Sequence, residues 1–246
     1  MGEHDGPWST EWEVKRELGA GGQGTTRLVC SIADPQRIGV LKTLKWKDSV
    51  QARGRMRVEA VTLDVLGKQG LKVPRLLASN IGSQDDTHDE PFFVMDFVEG
   101  QTLADFILAR GKLSLEQAAA FTLDLLKTVA AAHKLGHLHR DIKPENIIVR
   151  DSEKADLVMV DFGLSFNERH DGDTLTHTGE QLRNSFLALP ETNTPGGDRR
   201  DARSDLTALA AILYFCLTGY GVGQLRDGTG KAAHRRAGYS AREVLK

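Results

Sequence analysis

Two polar clusters, each directly after an apolar segment, constrain this chain of 246 residues more than any other feature. The first, 139–146 (His-Arg-Asp-Ile-Lys-Pro-Glu-Asn), follows a long stretch of helical periodicity. The second, 161–163 (Asp-Phe-Gly), follows the apolar run 158–160. The first cluster places a carboxylate, an ammonium group and a carboxamide in one loop, and the second adds a carboxylate at the end of a strand. These groups suit proton transfer and the binding of a hard cation.

The order of predicted elements indicates the fold class. Apolar alternation predicts strands, and spacing of three or four residues predicts helices. Strands are predicted over 12–18, 25–30, 38–44, 74–78 and 92–98, with one helix over 51–66; helices over 102–109, from Ser114 to about Gly136, and over 206–217 follow. Ser114 and Gln117 fit a capping box. We predict an α+β fold of two lobes with a cleft between them: a loose arm (1–10), an N-terminal lobe (11–98) and a mainly helical C-terminal lobe (99–246).

A glycine cluster joins the first two predicted strands. It comprises Gly19, Ala20, Gly21, Gly22, Gln23 and Gly24. Without Cβ atoms, the backbone N–H groups of such a turn can approach phosphate oxygens. Taken alone, the cluster fits a simple hairpin turn about equally well. A dinucleotide-binding unit is set aside because a strand, not a helix, is predicted after the glycines.

Lys42 and Glu59 form a candidate ion pair. Lys42 lies on the third predicted strand, and Glu59, inside the predicted helix, is the only glutamate between Glu17 and Glu90. A cation held by a rigid strand suits phosphate binding, and a buried lysine requires a counter-charge. Lys45 and Lys47 are interpreted instead as solvated strand residues.

Taken together, these motifs resemble the eukaryotic-type protein kinase family, including its bacterial members, from about Trp12 to Gly219. Lys143, directly after the His-Arg-Asp triplet, resembles the Ser/Thr type. The resemblance implies a bilobal fold, Mg²⁺-ATP as cofactor and a protein substrate. It implies that Asp141 accepts the hydroxyl proton and that Lys143 neutralises the γ-phosphate. Lys42, paired with Glu59, is expected to hold the α- and β-phosphates, and the glycine loop to cover the phosphates. Asn146 and Asp161 are expected to bind Mg²⁺.

The same resemblance implies an adenine site. The residues expected to contact the base are Thr26, Val40, Met95 (the gatekeeper), the backbone of Asp96 and Val98, and Ile148 beneath the ring. The family pattern has Val where this chain has Thr26, which makes the roof over adenine more polar.

Several expectations concern the segment after Gly163. Arg140 implies activation by phosphorylation, with Thr174, Thr176 and Thr178 as candidates and autophosphorylation as a source. Glu180 could supply a permanent anion instead. Residues 189–191 (Leu-Pro-Glu) resemble the end of an activation segment, but Asn184, with Ser185 beside it, stands at the usual threonine position. Only residues 220–246 follow Gly219. We therefore expect an incomplete C-terminal lobe: either the natural protein continues, with a further C-terminal domain, or this is a reduced kinase. Arg235 and Arg236 are considered as substitutes for the usual arginine partner of Glu191 and are not adopted.

Composition excludes some classes of partner. A net charge of −2 provides no basic field for nucleic acid or an anionic membrane. The longest apolar run is too short to cross a bilayer, and Gly6 breaks the myristoylation pattern of an N-terminal Met-Gly. Two cysteines in apolar segments, Cys30 and Cys216, indicate reduced core residues and hence the cytoplasm.

Two alternatives to an active protein kinase stay open at this point. A pseudokinase would bind ATP as a scaffold without transfer, which the unusual substrate loop favours and the intact Lys42, Asp141, Asn146 and Asp161 oppose. A small-molecule kinase of related fold is opposed by the position of Lys143 and by Pro190-Glu191.

Overall fold

The computed structural model of the chain describes residues 6–20, 24–45, 49–81, 90–162, 166–167, 186–188 and 202–224. The chain divides into two compact units, Met1–Val98 and Glu99–Lys246. Several residues named above lie outside the described ranges: Gly21, Gly22, Gln23, Lys47, Gly163, Thr174, Thr176, Thr178, Glu180, Asn184, Ser185, 189–191, Arg235 and Arg236.

Unit 1 is built on a five-stranded antiparallel sheet. Its strands are β1 (Trp12–Ala20), β2 (Gly24–Ser31), β3 (Ile38–Leu44), β4 (Leu76–Ser79) and β5 (Phe92–Asp96), in the spatial order β1-β2-β3-β5-β4. The alternation in β3 and β5 sends Leu41, Phe92 and Val94 to one face, where they pack with Trp12 and Val29. All five predicted strands of this lobe are present.

The N-terminal segment differs from the predicted loose arm. Pro7–Thr10 form a 3-10 helix with Pro at its start, and Trp8 is buried in the apolar cluster of the sheet. Burial of a tryptophan side chain contributes enough apolar area to hold a one-turn helix against a sheet. The sequence pattern did not reveal this because a single aromatic residue carries no periodicity.

The helix α1 (Val50–Lys68) begins where Ser49 accepts a hydrogen bond from the backbone N–H of Ala52. Its predicted apolar positions, Met56, Leu63 and Leu66, are all buried. The carboxylate of Glu59 is also buried, so this helix delivers one charge into the interior of unit 1.

Unit 2 is mainly helical in its described part. It contains α2 (Leu103–Arg110), α3 (Leu115–Lys134) and α4 (Arg203–Thr218). Phe121, Leu125 and Val129 form the buried face of α3, as their spacing predicts. Only half of the predicted capping box forms. Ser114 accepts a hydrogen bond from Gln117 N–H, but the Gln117 side chain donates to Ser152 O.

Short strands complete unit 2. Strands β6 (Gln101–Thr102), β8 (Ile147–Asp151) and β9 (Asp156–Met159) form one sheet. The two-residue strands β7 (His137–Leu138) and β10 (Phe166–Asn167) form an antiparallel pair, and β11 (Leu187–Ala188) and β12 (Gly223–Gln224) form a parallel pair.

Gly100 precedes β6 and is the position where glycine is required most clearly. It has φ 143°, and a Cβ atom there would lie 2.5 Å from Val149 O and 2.7 Å from Ile148 Cγ2. Neither distance leaves room for a methyl group, so any side chain would displace β8.

The α+β prediction is confirmed, since a sheet with one helix comes first and helices dominate the second unit. Both cysteines are free and buried, and burial raises the pKa of the Cys216 thiol to about 12. In the part of the chain that the structure describes, every helix is too short or too polar to cross a bilayer.

Candidate functional site

In unit 1, the structure brings Lys42 and Glu59 together. Lys42 Nζ lies 2.5 Å from Glu59 Oε1, with 19% and 7% of the two side chains exposed. The pair forms because β3 and α1 each direct one charge into the same interior space. A buried carboxylate is tolerated only with such a partner. Lys42 Nζ also lies 5.9 Å from the centre of the Phe93 ring.

The strand register places further predicted site residues around Lys42. Thr26, Lys42 and Phe93 stand in one cross-strand row, and Leu28, Val40 and Met95 form the next row. Because directly opposed residues share a face of the sheet, both rows lie on the face opposite Leu41 and Val94. Val40 and Met95 are buried there.

The glycine cluster joins β1 to β2. Gly19 pairs with Thr26, and Ala20 pairs with Thr25, in the antiparallel ladder of β1 and β2. Gly24 begins β2 opposite Leu44. The described glycines therefore lie in two antiparallel strands that are consecutive in the chain, and the strand predicted after the cluster is present. The end of β5 holds Asp96, and Val98 is the last residue of unit 1.

In unit 2, the loop that carries Asp141 is anchored by the buried Asp205. The carboxylate of Asp205 accepts hydrogen bonds from the backbone N–H groups of His139 (2.9 Å) and Arg140 (2.8 Å), and it contacts Nε2 of His133 at 2.8 Å. Arg140 has φ 67°, a left-handed conformation that a non-glycine residue adopts only under constraint. The constraint here comes from the first turn of α4.

Burial alone would raise the pKa of Asp205. The hydrogen bond from His133 and those from the two backbone N–H groups outweigh that effect and hold the pKa below the usual aspartate value. Asp205 is therefore a charged, buried anchor. Asp205 is not among the site residues predicted from the sequence. An isolated carboxylate in the first turn of a buried helix is the signal that could have revealed it.

Asp141, Lys143 and Asn146 converge within the same loop. Lys143 Nζ donates to Asp141 Oδ2 at 2.6 Å, and Asn146 Nδ2 donates to Asp141 Oδ2 at 3.0 Å and to Asp141 O at 2.9 Å. The 3-10 turn Pro144–Asn146 folds the amide back onto Asp141. One carboxylate oxygen thus receives two donors, and Asp141 Oδ1 receives neither of them.

The structure also brings Asp161 towards Asn146. Ile147 in β8 pairs with Met159 in β9, and Val160, the residue after β9, donates its N–H to Asn146 O at 2.9 Å. Asp161 comes directly after that contact and has φ 64°. The Nδ2 group of Asn146 donates to Asp141. The Oδ1 oxygen of Asn146 lies on the opposite side of that amide.

This donor set fits Mg²⁺, which takes oxygen ligands from one or two side chains and completes its shell with water and phosphate. Among the described residues, no group of three or more His, Cys, Asp or Glu side chains is arranged to hold a metal ion. An all-protein cage is therefore not the kind of site found in the described part of the chain. A carboxamide and a carboxylate on two hydrogen-bonded segments of the chain match a cation shared with a bound phosphate chain.

His139 lies under this loop as a neutral side chain. It is 2% exposed, its ring centre lies 4.3 Å from that of Phe162, and its Nδ1 accepts a hydrogen bond from Asp141 N–H. Burial lowers the pKa of His139, although the nearby carboxylates Asp205, Asp141 and Asp161 oppose that effect. The ring packs and orients Asp141 rather than carrying charge.

Comparisons with known proteins identify the family of this chain. A family model described as "Protein kinase domain" matches residues 12–242. A probable serine/threonine-protein kinase of Clostridium perfringens (CPE1738) is 32% identical over 185 residues, which cover 74% of this chain and 25% of that protein. The serine/threonine-protein kinase PknL of Mycobacterium tuberculosis is 30% identical over 84% of this chain and 49% of its own length.

A third relative, the serine/threonine-protein kinase PknD of Mycobacterium tuberculosis, is 33% identical over 223 residues, which cover 89% of this chain and 31% of that protein. The chain thus spans between a quarter and a half of the length of these curated relatives.

Proposed function

The chain belongs to the protein kinase domain family, matched over residues 12–242, and on that premise we propose that it is a bacterial-type serine/threonine kinase domain. It transfers the γ-phosphoryl group of ATP to a protein hydroxyl. The single observation that carries this proposal is the convergence of Lys143 and Asn146 on Asp141 in a loop that Asp205 anchors.

Asp141 is the proposed proton acceptor. As the substrate oxygen forms its bond to the γ-phosphorus, the bond from that phosphorus to the β–γ bridging oxygen breaks and ADP leaves. The hydroxyl proton passes to the Asp141 carboxylate. The two donors on Oδ2 hold this carboxylate in one orientation, which leaves Oδ1 as the oxygen that faces the incoming hydroxyl.

Lys143 and Lys42 are the proposed phosphate cations. Lys143 Nζ lies next to the carboxylate that faces the hydroxyl, so it can contact the γ-phosphate during transfer. Lys42, held by Glu59, contacts the α- and β-phosphates. Asn146 Oδ1 and the Asp161 carboxylate would hold Mg²⁺, which neutralises phosphate charge when it is bound.

The nucleotide also contacts the second group of proposed residues. The proposed cover of the phosphates is the glycine cluster, which comprises Gly19, Ala20, Gly21, Gly22, Gln23 and Gly24. The proposed contacts of the base are Val40, Met95 and Thr26 in unit 1, with hydrogen bonds to the backbone at Asp96 and Val98, and Ile148 in unit 2. The register of β2, β3 and β5 supports this assignment, since it places Thr26, Val40 and Met95 on the Lys42 face.

The substrates are proteins, and their identity depends on surfaces beyond those described. We place the domain in the cytoplasm, where ATP and reducing conditions occur together, and the free, buried cysteines support that compartment.

The test is phosphoryl transfer with and without the Asp141 carboxylate. Purified protein is incubated with radiolabelled ATP, Mg²⁺ and a generic basic protein substrate, beside an Asp141→Asn variant. The amide keeps the size of the side chain and cannot accept the proton, so we expect transfer to fall by about two to four orders of magnitude. ATP affinity, measured by calorimetry, should stay within about 2-fold, since Asp141 is assigned to the hydroxyl and not to the nucleotide.

A suitable control is Asp156→Asn in β9, an aspartate that pairs with Arg150 in the same unit. It should transfer phosphate like the wild type. Mapping the labelled residues would show whether Thr174, Thr176 or Thr178 accept phosphate from the domain itself. A wild type that binds ATP but labels neither itself nor the substrate would contradict the kinase proposal and favour an ATP-binding scaffold.

A further inference from the structure

A bidentate ion pair in unit 1 holds the last residue of β5. Arg75 Nε donates to Asp96 Oδ2 at 2.7 Å, and Arg75 Nη2 donates to Asp96 Oδ1 at 3.4 Å. The backbones are joined as well. Asp96 N–H donates to Arg75 O at 2.9 Å, and Arg75 N–H donates to Asp96 Oδ2 at 3.3 Å. Four hydrogen bonds therefore connect these two residues.

The position of this pair is unusual within the sheet. Arg75 comes directly before β4, and the pairing of β4 with β5 contains a register shift between Leu76 and Ala78. A register shift weakens the regular ladder. On its other side, Asp96 pairs with Gly39 of β3 at a close approach, where a Cβ atom would lie 2.7 Å from Val94 Cγ1. Asp96 is thus fixed by β3 on one side and by Arg75 on the other.

Fixing Asp96 has a consequence for nucleotide binding. Residues 97–99 have no regular structure, and the one hydrogen bond that Phe97 N–H makes to β3, to Ile38 O, is long at 3.5 Å; unit 1 ends at Val98. Peptide groups at the end of a strand can rotate unless something holds them. Recognition through backbone hydrogen bonds requires peptide planes of fixed orientation. We propose that Arg75 is a positioning residue for adenine, and this inference rests on the proposed function, which assigns the backbone of Asp96 and Val98 to the base.

The expected size of the effect follows from the exposure of the pair. The Arg75 side chain is 73% exposed and that of Asp96 is 26% exposed. Exposed pairs are weak, and those with bidentate geometry lie at the upper end of their range. The loss of Arg75 should therefore weaken ATP binding by roughly 2- to 5-fold. The rate of phosphoryl transfer at saturating ATP should stay within about 2-fold, because Arg75 is assigned to the bound orientation of the base alone.

The experiment is a double-mutant cycle on ATP affinity. The dissociation constant of Mg²⁺-ATP is measured by calorimetry for the wild type, Arg75→Met, Asp96→Asn and the double variant, with KM and kcat measured in parallel. Methionine keeps the aliphatic stem of Arg75, and asparagine keeps the shape of Asp96. We expect each single variant to weaken ATP binding and the double variant to add little, since both remove the same interaction. Arg75→Lys should restore part of the affinity.

Arg150→Met provides the matched control. Arg150 also makes a fork to an aspartate, with Nε and Nη2 each 2.6 Å from Asp156 Oδ2, and its side chain is 53% exposed. This variant should leave ATP affinity unchanged. The inference is overturned if Arg75→Met binds ATP like Arg150→Met, or if kcat falls while KM and the dissociation constant stay constant. The dissociation constant needs no phosphoryl transfer, so the inference can fail while the kinase proposal stands, and the reverse.

Discussion

Replacement of Asp205 by alanine tests whether the loop that carries Asp141 depends on the first turn of α4. The substitution removes the acceptor for two buried backbone N–H groups, those of His139 and Arg140, and for the ring of His133. Hydrogen bonds to a charged group contribute about 1.5–3 kcal/mol each. The His133 side chain is 19% exposed and can turn to water. The two backbone groups alone therefore predict a loss of roughly 3–6 kcal/mol.

Part of this loss is offset because the burial of a carboxylate is itself unfavourable. We therefore expect Asp205→Ala to lower the free energy of unfolding by about 3–4 kcal/mol, which corresponds to a fall in melting temperature of about 6–16 °C for a chain of this size. Asp205→Asn keeps one acceptor oxygen, so its free energy of unfolding should lie between those of the wild type and Asp205→Ala. Thr207→Ala, in the same helix with its hydroxyl on Arg203 O, should stay within about 0.5 kcal/mol.

Urea unfolding at pH 7, followed by circular dichroism, measures these differences. Because the pKa of Asp205 is depressed in the folded protein, its contribution is fully present above the ordinary aspartate pKa of about 4 and is lost as the pH falls through the lower folded value. The difference between wild type and Asp205→Ala should therefore shrink below pH 4. An Asp205→Ala protein that unfolds within about 1 kcal/mol of the wild type at pH 7 would refute the anchoring role.

Two other substitutions test the interior contacts. Glu59→Gln should lower the free energy of unfolding by about 1–3 kcal/mol and weaken ATP binding, because Lys42 loses its carboxylate partner. The control is Asp64→Asn, which breaks the exposed pair with Lys68 on the same helix. Equal unfolding free energies for the two variants would count against a special role for Glu59. Gly100→Ala should lower the free energy of unfolding by at least about 1–3 kcal/mol, because alanine must adopt φ 143° with its Cβ against Val149 O. An unchanged melting temperature would contradict that geometry.

Much of the local structure could be predicted from the sequence because it depends on periodicity and on short-range chemistry. The predicted strand over 38–44 matches β3, and the helix predicted over 51–66 matches α1 within two residues at each end. Ser114 begins α3 as its hydroxyl predicts. The grouping of Asp141, Lys143 and Asn146 was also local, since all three lie within six residues and a single tight turn joins them.

The tertiary structure decided the contacts that link residues distant in the chain. Asp205 meets His139 and Arg140 across more than sixty positions, and Arg75 meets Asp96 across 21. Neither contact has a periodic or motif signal. The burial of Trp8 was also decided by the tertiary structure, because it depends on a sheet surface that forms only when β1, β3 and β5 align. The sequence by itself determined which chemical groups are available and which family they resemble. The fold determined which of those groups are held still, because only packed neighbours and buried hydrogen bonds can fix a side chain against solvent.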